Sequence, residues 1–154
     1  MAQKRKRVFL DASVFIAAAG SPSGGSSLVL EVCRGQIFSA VTTRKSLLEA
    51  QRNIRKKLSE EALLRFLREL AALDPEITSP STKEELDRCE ELIALKDRHV
   101  LAGALKSGAS FLITLDRKHF QTEVIKQANL PITIMTPKDF LQWVKEKYEV
   151  SEEG

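Results

Sequence analysis

The sequence predicts an α/β domain built on a mainly parallel sheet, and two features carry the prediction. Short apolar runs (VFL at 8–10, IFSAV at 37–41, FLITL at 111–115, ITIM at 132–135) alternate with longer stretches of helical periodicity. Near-continuous apolar runs suit strands covered on both faces, as in a parallel sheet. Two runs also end alike: VFLD closes on Asp11 and LITLD on Asp116. If those strands are parallel, both acids leave the same carboxyl edge, where open α/β sheets place ligands.

The elements follow in order. Lys4–Arg7 is a basic lead-in, expected to be solvated, and Val8–Leu10 is the first strand. Ala12–Ala19 starts a small-residue helix. GSPSGGSS at 20–27 is a loop by composition and lacks the Gly-Lys-Ser/Thr ending of a phosphate-cradling loop. Leu28–Cys33 continues as a helix ended by Gly35, and Ile37–Val41 is a strand. Thr42 or Thr43 caps a helix running to about Leu58, with Leu47, Ala50, Ile54 and Leu58 as its buried stripe. Ser59 caps another, whose Leu63, Leu64, Phe66, Leu67, Leu70 and Leu73 exceed what one buried face needs. Asp74-Pro75 ends it, and 76–79 is short enough to be a strand.

Ser81 or Thr82 caps a helix bearing Leu86, Cys89, Leu92 and Ile93 that leads into Asp97. Val100, Leu101, Ala104 and Leu105 mark the next helix face, and Gly108 stops it by taking a left-handed conformation. A turn at 117–120, a brief helical stretch to Asn129, the ITIM strand opened by Pro131, and a helix from Thr136-Pro137 with Phe140, Trp143 and Val144 complete the chain. One domain is expected over 1–148, with a frayed acidic tail at 149–154.

At 154 residues the chain can bury a substantial core. A formal net charge of +3 permits an acidic partner such as RNA without demanding one. Cys33 and Cys89 form no CxxC pair and are expected to be packed thiols in a reducing cytoplasm. The basic start and apolar run imitate a secretory signal, but Asp11 interrupts the run well short of the usual core of about 7–15 residues. No stretch is long enough to span a bilayer, so a soluble cytoplasmic protein is expected.

Four acids stand out. Asp97 lies three and four residues before Val100 and Leu101 and so shares their azimuth, a costly place for a charge unless it caps the helix, is paired or binds a metal. Asp11 and Asp116 sit at strand exits, where Asp116 also suits a plain turn. Glu49 points about half a turn away from its helix's stripe, at ~100° per residue, which by itself describes a solvent-facing side chain. Clustered carboxylates require a cation, and oxygen-only donors suit Mg²⁺ or Mn²⁺. His99 and His119 are isolated in sequence, and His99 is expected on its helix's surface. Arg44, Lys45, Arg52, Arg55, Lys56 and Lys57 make one helix basic, either as a solvated face or to hold a phosphate backbone.

VFLDASVFIAA, LLEAQRNI, KDRHVLAGALKSGASFLITLDRKHF and ITIMTPKDFL together resemble the PIN domain, and more narrowly the VapC-like PIN proteins of prokaryotic toxin–antitoxin pairs. The resemblance runs from Val8 to about Leu141. It implies an α/β/α sandwich and a Mg²⁺- or Mn²⁺-dependent ribonuclease yielding 5′-phosphate and 3′-hydroxyl ends. Asp11, Glu49, Asp97 and Asp116 match the catalytic acids, with Asp11, Asp97 and Asp116 as metal ligands and Glu49 as a ligand or as the orienter of the attacking water. Ser13 and Thr114 match the supporting hydroxyls. An RNA substrate, a cognate antitoxin and a homodimer are implied as partners, and no membrane. The basic helix, with Arg44, Lys45, Arg52 and Lys56, would guide the RNA. In one departure, Leu115 stands where many relatives carry Gly between the Thr and the Asp. Two other readings compete. One is a binding partner with vestigial acids, suggested by the apolar excess at 59–73. The other is a phosphatase with Asp11 as nucleophile, disfavoured because Ser13 occupies the place of its second Asp.

Overall fold

The computed structural model describes residues 5–149. Its strands are β1 (Lys6–Leu10), β2 (Phe38–Thr43), β3 (Glu76–Thr78), β4 (Phe111–Ile113) and β5 (Thr133–Met135). The helices are α1 (Ala12–Gly20), α2 (Gly25–Val32), α3 (Arg44–Lys57), α4 (Glu60–Leu73), α5 (Lys83–Asp87), α6 (Arg98–Ser107), α7 (Arg117–Phe120), α8 (Glu123–Gln127) and α9 (Pro137–Tyr148), with a 3₁₀ turn at Leu95–Asp97 before α6. The strands form one sheet in the order β3-β2-β1-β4-β5, and every pairing is parallel.

Alternation along the strands divides the core between the sheet's two faces. Val8 and Leu10 of β1, Phe38 and Ala40 of β2, and Phe111 and Ile113 of β4 pack with α1, α2, α3, α4 and α9. Phe9, Val41 and Leu112 point the other way, onto α6, Phe120 and Ile125. The result is a sheet covered on both faces, as the apolar runs implied, in the α/β/α sandwich that the resemblance implied. The chain begins in the centre, moves outward through β2 and β3, then returns to the other side of β1 with β4. The strand order therefore reverses between β1 and β4, which opens a crevice at their carboxyl ends.

Several boundaries differ from the sequence expectation. The last two residues of the basic lead-in belong to β1: Lys6 N donates to Ile37 O at 2.8 Å, and the Arg7 guanidinium bonds Glu76 and the Ser107 carbonyl. Lys4 lies outside the described residues, as do 150–154 of the expected tail. The helix α2 begins at Gly25, inside the run that composition marked as loop, because Ser27 Oγ donates to Ala18 O (3.1 Å) and Ser21 O (2.8 Å) and closes the connection tightly. β2 extends to Thr43 and leaves Ile37 exposed. Leu58 is exposed rather than part of the buried stripe, because α3 has already ended and the backbone there is extended.

The helix expected to reach Asp97 stops at Asp87. A Thr82–Glu85 capping box starts it, and consecutive three-residue turns then lower Cys89 and Ile93 onto the sheet beside Val41 and Leu101. The turn at 117–120 is a full helical turn, α7. Gly108 ends α6 at φ 70°, as expected. Both cysteines are free and buried, and burial pushes the Cys33 thiol up to about 12. Among the described residues no single helix is long and apolar enough to cross a membrane.

Candidate metal centre

The register Leu10↔Ile113 places the exits of β1 and β4 side by side, and Asp11 N donates to Ile113 O at 3.2 Å. Asp11 is only 7% exposed. Thr114 Oγ1 donates to its Oδ2 at 2.6 Å, and Ser13 Oγ donates to the same oxygen at 3.0 Å. Each hydroxyl also accepts. Leu115 N donates to Ser13 Oγ at 3.0 Å, and Asp116 N donates to Thr114 Oγ1 at 3.1 Å. Two hydroxyls thus tie the buried acid to the backbone that carries the next one. Burial pushes the Asp11 carboxyl up from its ordinary value, the hydrogen bonds from Thr114, Ser13 and the Ala12 amide hold it down, and the charge of Asp97 raises it further.

Asp97 occupies the N-cap position of α6, yet its side chain makes no cap bond. Simple capping therefore does not account for it. Its Oδ2 is buried and has no hydrogen-bond partner among the described residues. The nearest basic nitrogens are Lys96 Nζ at 3.9 Å and His119 Nδ1 at 4.0 Å. Asp116 does cap its helix: Oδ1 accepts from His119 N at 3.0 Å, and Oδ2 lies 2.7 Å from His119 Nδ1. Asp97, Asp116 and His119 each offer one ligand atom, and those atoms all lie within 4.8 Å of one another.

His119 was absent from the sequence-derived set. Its signal was the spacing D-R-K-H, since the third residue of a helix faces back to its cap. Asp11 is not part of the three-residue set, and one of its oxygens is taken by the two hydroxyls. Glu49, half-buried on α3, joins the group electrically: burial pushes its carboxyl up, the charges of Asp11 and Asp97 add to this, and Lys45 and Arg52 oppose it. The four acids therefore reach one region from the exits of β1 and β4, the start of α6 and the second turn of α3.

The donor set fits a metal ion. A buried carboxylate oxygen with no partner is costly unless a cation compensates it, and Asp97 supplies such an oxygen within reach of a second carboxylate and an imidazole. Carboxylate oxygens suit Mg²⁺ or Mn²⁺. Lys45 and Arg52 of α3 act on Glu49, and with Arg44 and Lys56 they are exposed cations of that helix, none of them in an ion pair among the described residues.

His99 departs from expectation. It is half-buried rather than on the surface, its Nδ1 has no partner, and burial followed by the nearby charge of Lys45 pushes it down to about 4. Leu115 keeps its amide on Ser13 while its side chain is exposed beside an apolar groove shared with Leu28, Val32 and Leu141.

A family model described as a PIN domain matches residues 7–118. Among solved structures, VapBC2 from Rickettsia felis, bound to a DNA fragment from its promoter, is similar at a TM-score of 0.61 and 16% identity, covering 84% of this chain and 98% of that one. PAE2754 from Pyrobaculum aerophilum is similar at a TM-score of 0.57 and 14% identity, covering 92% of this chain and 90% of that one. At such identities the likeness concerns the fold alone. No curated protein sequence matches the chain.

Proposed function

The chain belongs to the PIN domain family, and from that premise we propose that it is a Mg²⁺- or Mn²⁺-dependent endoribonuclease, the toxin component of a toxin–antitoxin pair. The observation that carries the reading is the buried, unpartnered Asp97 Oδ2, 4.0 Å from His119 Nδ1, in a residue whose ligand atom lies within 4.8 Å of those of Asp116 and His119. Asp97 and Asp116, with Asp11, would hold the ion. A bound divalent cation would lower the pKa of a water and offset the charge gathering on a phosphodiester.

The chain's own residues would do the rest. Ser13 and Thr114 fix the Asp11 carboxylate by hydrogen bonds to Oδ2. Glu49, whose carboxyl is pushed up by burial and then by its acidic neighbours, would orient the attacking water and accept its proton. The water oxygen would bond to phosphorus as the bond to the 3′-oxygen breaks, and that oxygen would take a proton from solvent, leaving a 5′-phosphate and a 3′-hydroxyl. Arg44, Lys45, Arg52 and Lys56 would track the RNA backbone. An antitoxin, or a second copy in a homodimer, would cover apolar surface such as Leu64 and Leu67, which are 52% and 45% exposed on α4. The work would take place in the cytoplasm, within a single domain spanning 1–148.

The test is cleavage of a mixed single-stranded RNA pool with Mn²⁺, Mg²⁺ or EDTA, wild type beside Asp97→Asn. Metal-dependent cutting that the variant loses is the expected result. Cutting in EDTA, or undiminished cutting by the variant, would refute the assignment. The exposed leucines of α4 favour one second reading, a protein that acts by binding a partner. Absence of calorimetric Mn²⁺ binding at millimolar levels would select it.

A further inference from the structure

An imidazole stands among the acids and changes what kind of centre they form. Residue types alone pointed to oxygen donors, yet Nδ1 of His119 lies 2.7 Å from Asp116 Oδ2 and 4.0 Å from Asp97 Oδ2. Its own element holds the ring there. The His119 amide donates to Asp116 Oδ1 at 3.0 Å, and the next residue, Phe120, is buried in the core with Leu101 of α6. The other basic nitrogen near Asp97, Lys96 Nζ, belongs to a side chain that is 68% exposed.

A hydrogen bond accounts for only one of the two acids. An Nδ1–H turned to Asp116 satisfies Oδ2 of that residue. The 4.0 Å to Asp97 is beyond hydrogen-bond reach, and Asp97 Oδ2 stays buried without a partner. Asp116 also needs no ring to orient it, because Oδ1 already accepts the His119 amide. One cation between the three residues satisfies both carboxylates and the ring nitrogen at once, and their ligand atoms lie within 4.8 Å of one another. Around an octahedral ion with bonds of ~2.1 Å, adjacent ligand atoms are about 3.0 Å apart and opposite ones about 4.2 Å. The observed 2.7 Å and 4.0 Å are close to that frame. With Nδ1 as the ligand, the ring's hydrogen sits on Nε2.

A nitrogen donor also decides which ion is preferred. Mg²⁺ is a hard ion that takes oxygen ligands and sheds its waters reluctantly. Imidazole is an ordinary ligand of the transition metals. Of the two ions that suit the carboxylates, a nitrogen favours Mn²⁺.

We propose that His119 is a direct ligand of the ion through Nδ1, so that the centre is a mixed carboxylate–imidazole site that prefers Mn²⁺ to Mg²⁺. The inference deepens the ribonuclease reading and rests on it for the presence of an ion, but its tests read the bound ion and not RNA cleavage. Electron spin-echo modulation of Mn²⁺ bound to the whole chain detects coordinated nitrogen, and it is recorded on unlabelled and [¹⁵N]histidine-labelled protein. Modulation from a coordinated ¹⁴N nucleus, replaced by that of ¹⁵N on labelling, is the expected result. The chain has only two histidines, and the signal disappears in His119→Gln and persists in His99→Gln. Titration, with Mg²⁺ read by competition against Mn²⁺, finds Mn²⁺ the tighter ion in wild type. His119→Gln weakens Mn²⁺ at least about tenfold, the lower end of what loss of a residue merely supporting a metal costs, and Mg²⁺ by a smaller factor.

Bound Mn²⁺ without histidine nitrogen coupling overturns the proposal and leaves an oxygen-only centre, a result that needs no variant. A coupling that survives His119→Gln overturns it as well. So do equal losses of Mn²⁺ and Mg²⁺ in His119→Gln, since a residue that only orients Asp116 acts on both ions alike. If wild type binds neither ion at millimolar levels, the metal-dependent reading fails and the proposal with it. Nitrogen-coordinated Mn²⁺ in a protein that cuts no RNA removes the nuclease reading and upholds the ligand.

Discussion

Replacing Asp97 with Asn should stabilise the metal-free protein while abolishing its response to metal. In the wild-type protein Asp97 and Asp116 place carboxylate oxygens within 4.8 Å of each other. Two full charges at that separation repel by about 3 kcal/mol at an effective dielectric near 20, and by about 1 kcal/mol in water. The Asp97 side chain is 15% exposed and that of Asp116 31%, so the true value lies between those limits, reduced by His119. An amide at position 97 removes the repulsion and supplies donors of its own.

The expected gain in EDTA is therefore about 1–2 kcal/mol, and a domain of this size moves roughly 2–4 °C in Tm per kcal/mol. Saturating Mn²⁺ reverses the order. Wild type gains about 2.7 kcal/mol at a metal concentration 100-fold above Kd, whereas Asp97→Asn gains little. Thermal denaturation of both proteins in EDTA and in MnCl₂ makes the comparison. If Asp97→Asn melts below wild type in EDTA and gains as much from Mn²⁺, Asp97 is a structural residue and the metal assignment fails.

Thr114→Val keeps the branched shape but strips Asp11 of its 2.6 Å hydrogen bond and the Asp116 amide of its acceptor. Urea unfolding should show a loss of about 1–3 kcal/mol, and an unchanged midpoint would mean that the hydroxyl contributes nothing. His99 has its folded-state pKa at about 4, below the ordinary 6.5, so between those values the unfolded chain binds more protons and stability from this residue rises with pH. Raised carboxyls at Asp11 and Glu49 act in the opposite sense, losing stability as pH rises past their unfolded values. The contribution of His99 is therefore read as a difference: His99→Gln should lose less stability than wild type when pH falls from 6.5 to about 4, and parallel curves would contradict this. Finally, Arg52→Gln combined with Lys56→Gln should flatten the slope of log K against log salt for RNA binding in EDTA by about 1.4, at ~0.7 per phosphate contact. Fluorescence anisotropy across a salt series measures it, and an unchanged slope would remove these two residues from the RNA path.

Much of the architecture was legible in the chain because it follows from local geometry. Unbroken apolar runs at 8–10 and 111–113 marked buried strands, and Asp11 could be placed at its strand's exit by reading one residue further; β4 ends at Ile113, so Leu115, expected within the run, is exposed and Asp116 lies three residues beyond the strand. Asp97 announced itself by falling on the apolar azimuth of α6, and Gly108 by its position after the last periodic residue. Helical and strand periods act over a few residues, so nothing distant is needed to see them. The same locality explains the errors. Gly25–Ser27 read as loop because glycine and serine have weak helix propensity, while a serine side chain bonding back to Ala18 and Ser21 decided the matter. The helix after Thr82 broke because Cys89 and Ile93 gain more from the sheet face than from continuing the helix.

The sequence by itself determined the fold class and the covered sheet and marked Asp11, Asp97 and Asp116 as candidates, since each of these depends on residues close together in the chain, whereas Glu49 stood out only through the resemblance. Only the tertiary structure decided which of them meet. Thr114 and Asp11 are 103 residues apart and share a 2.6 Å hydrogen bond, because β4 pairs with β1 rather than with an outer strand. That same strand order brings Asp97 to Asp116 and His119, leaves Asp97 Oδ2 without a partner, and sinks the ring of His99 beside Thr78. Burial and proximity between distant segments are properties of how the elements stack, and no periodicity in a single segment encodes them.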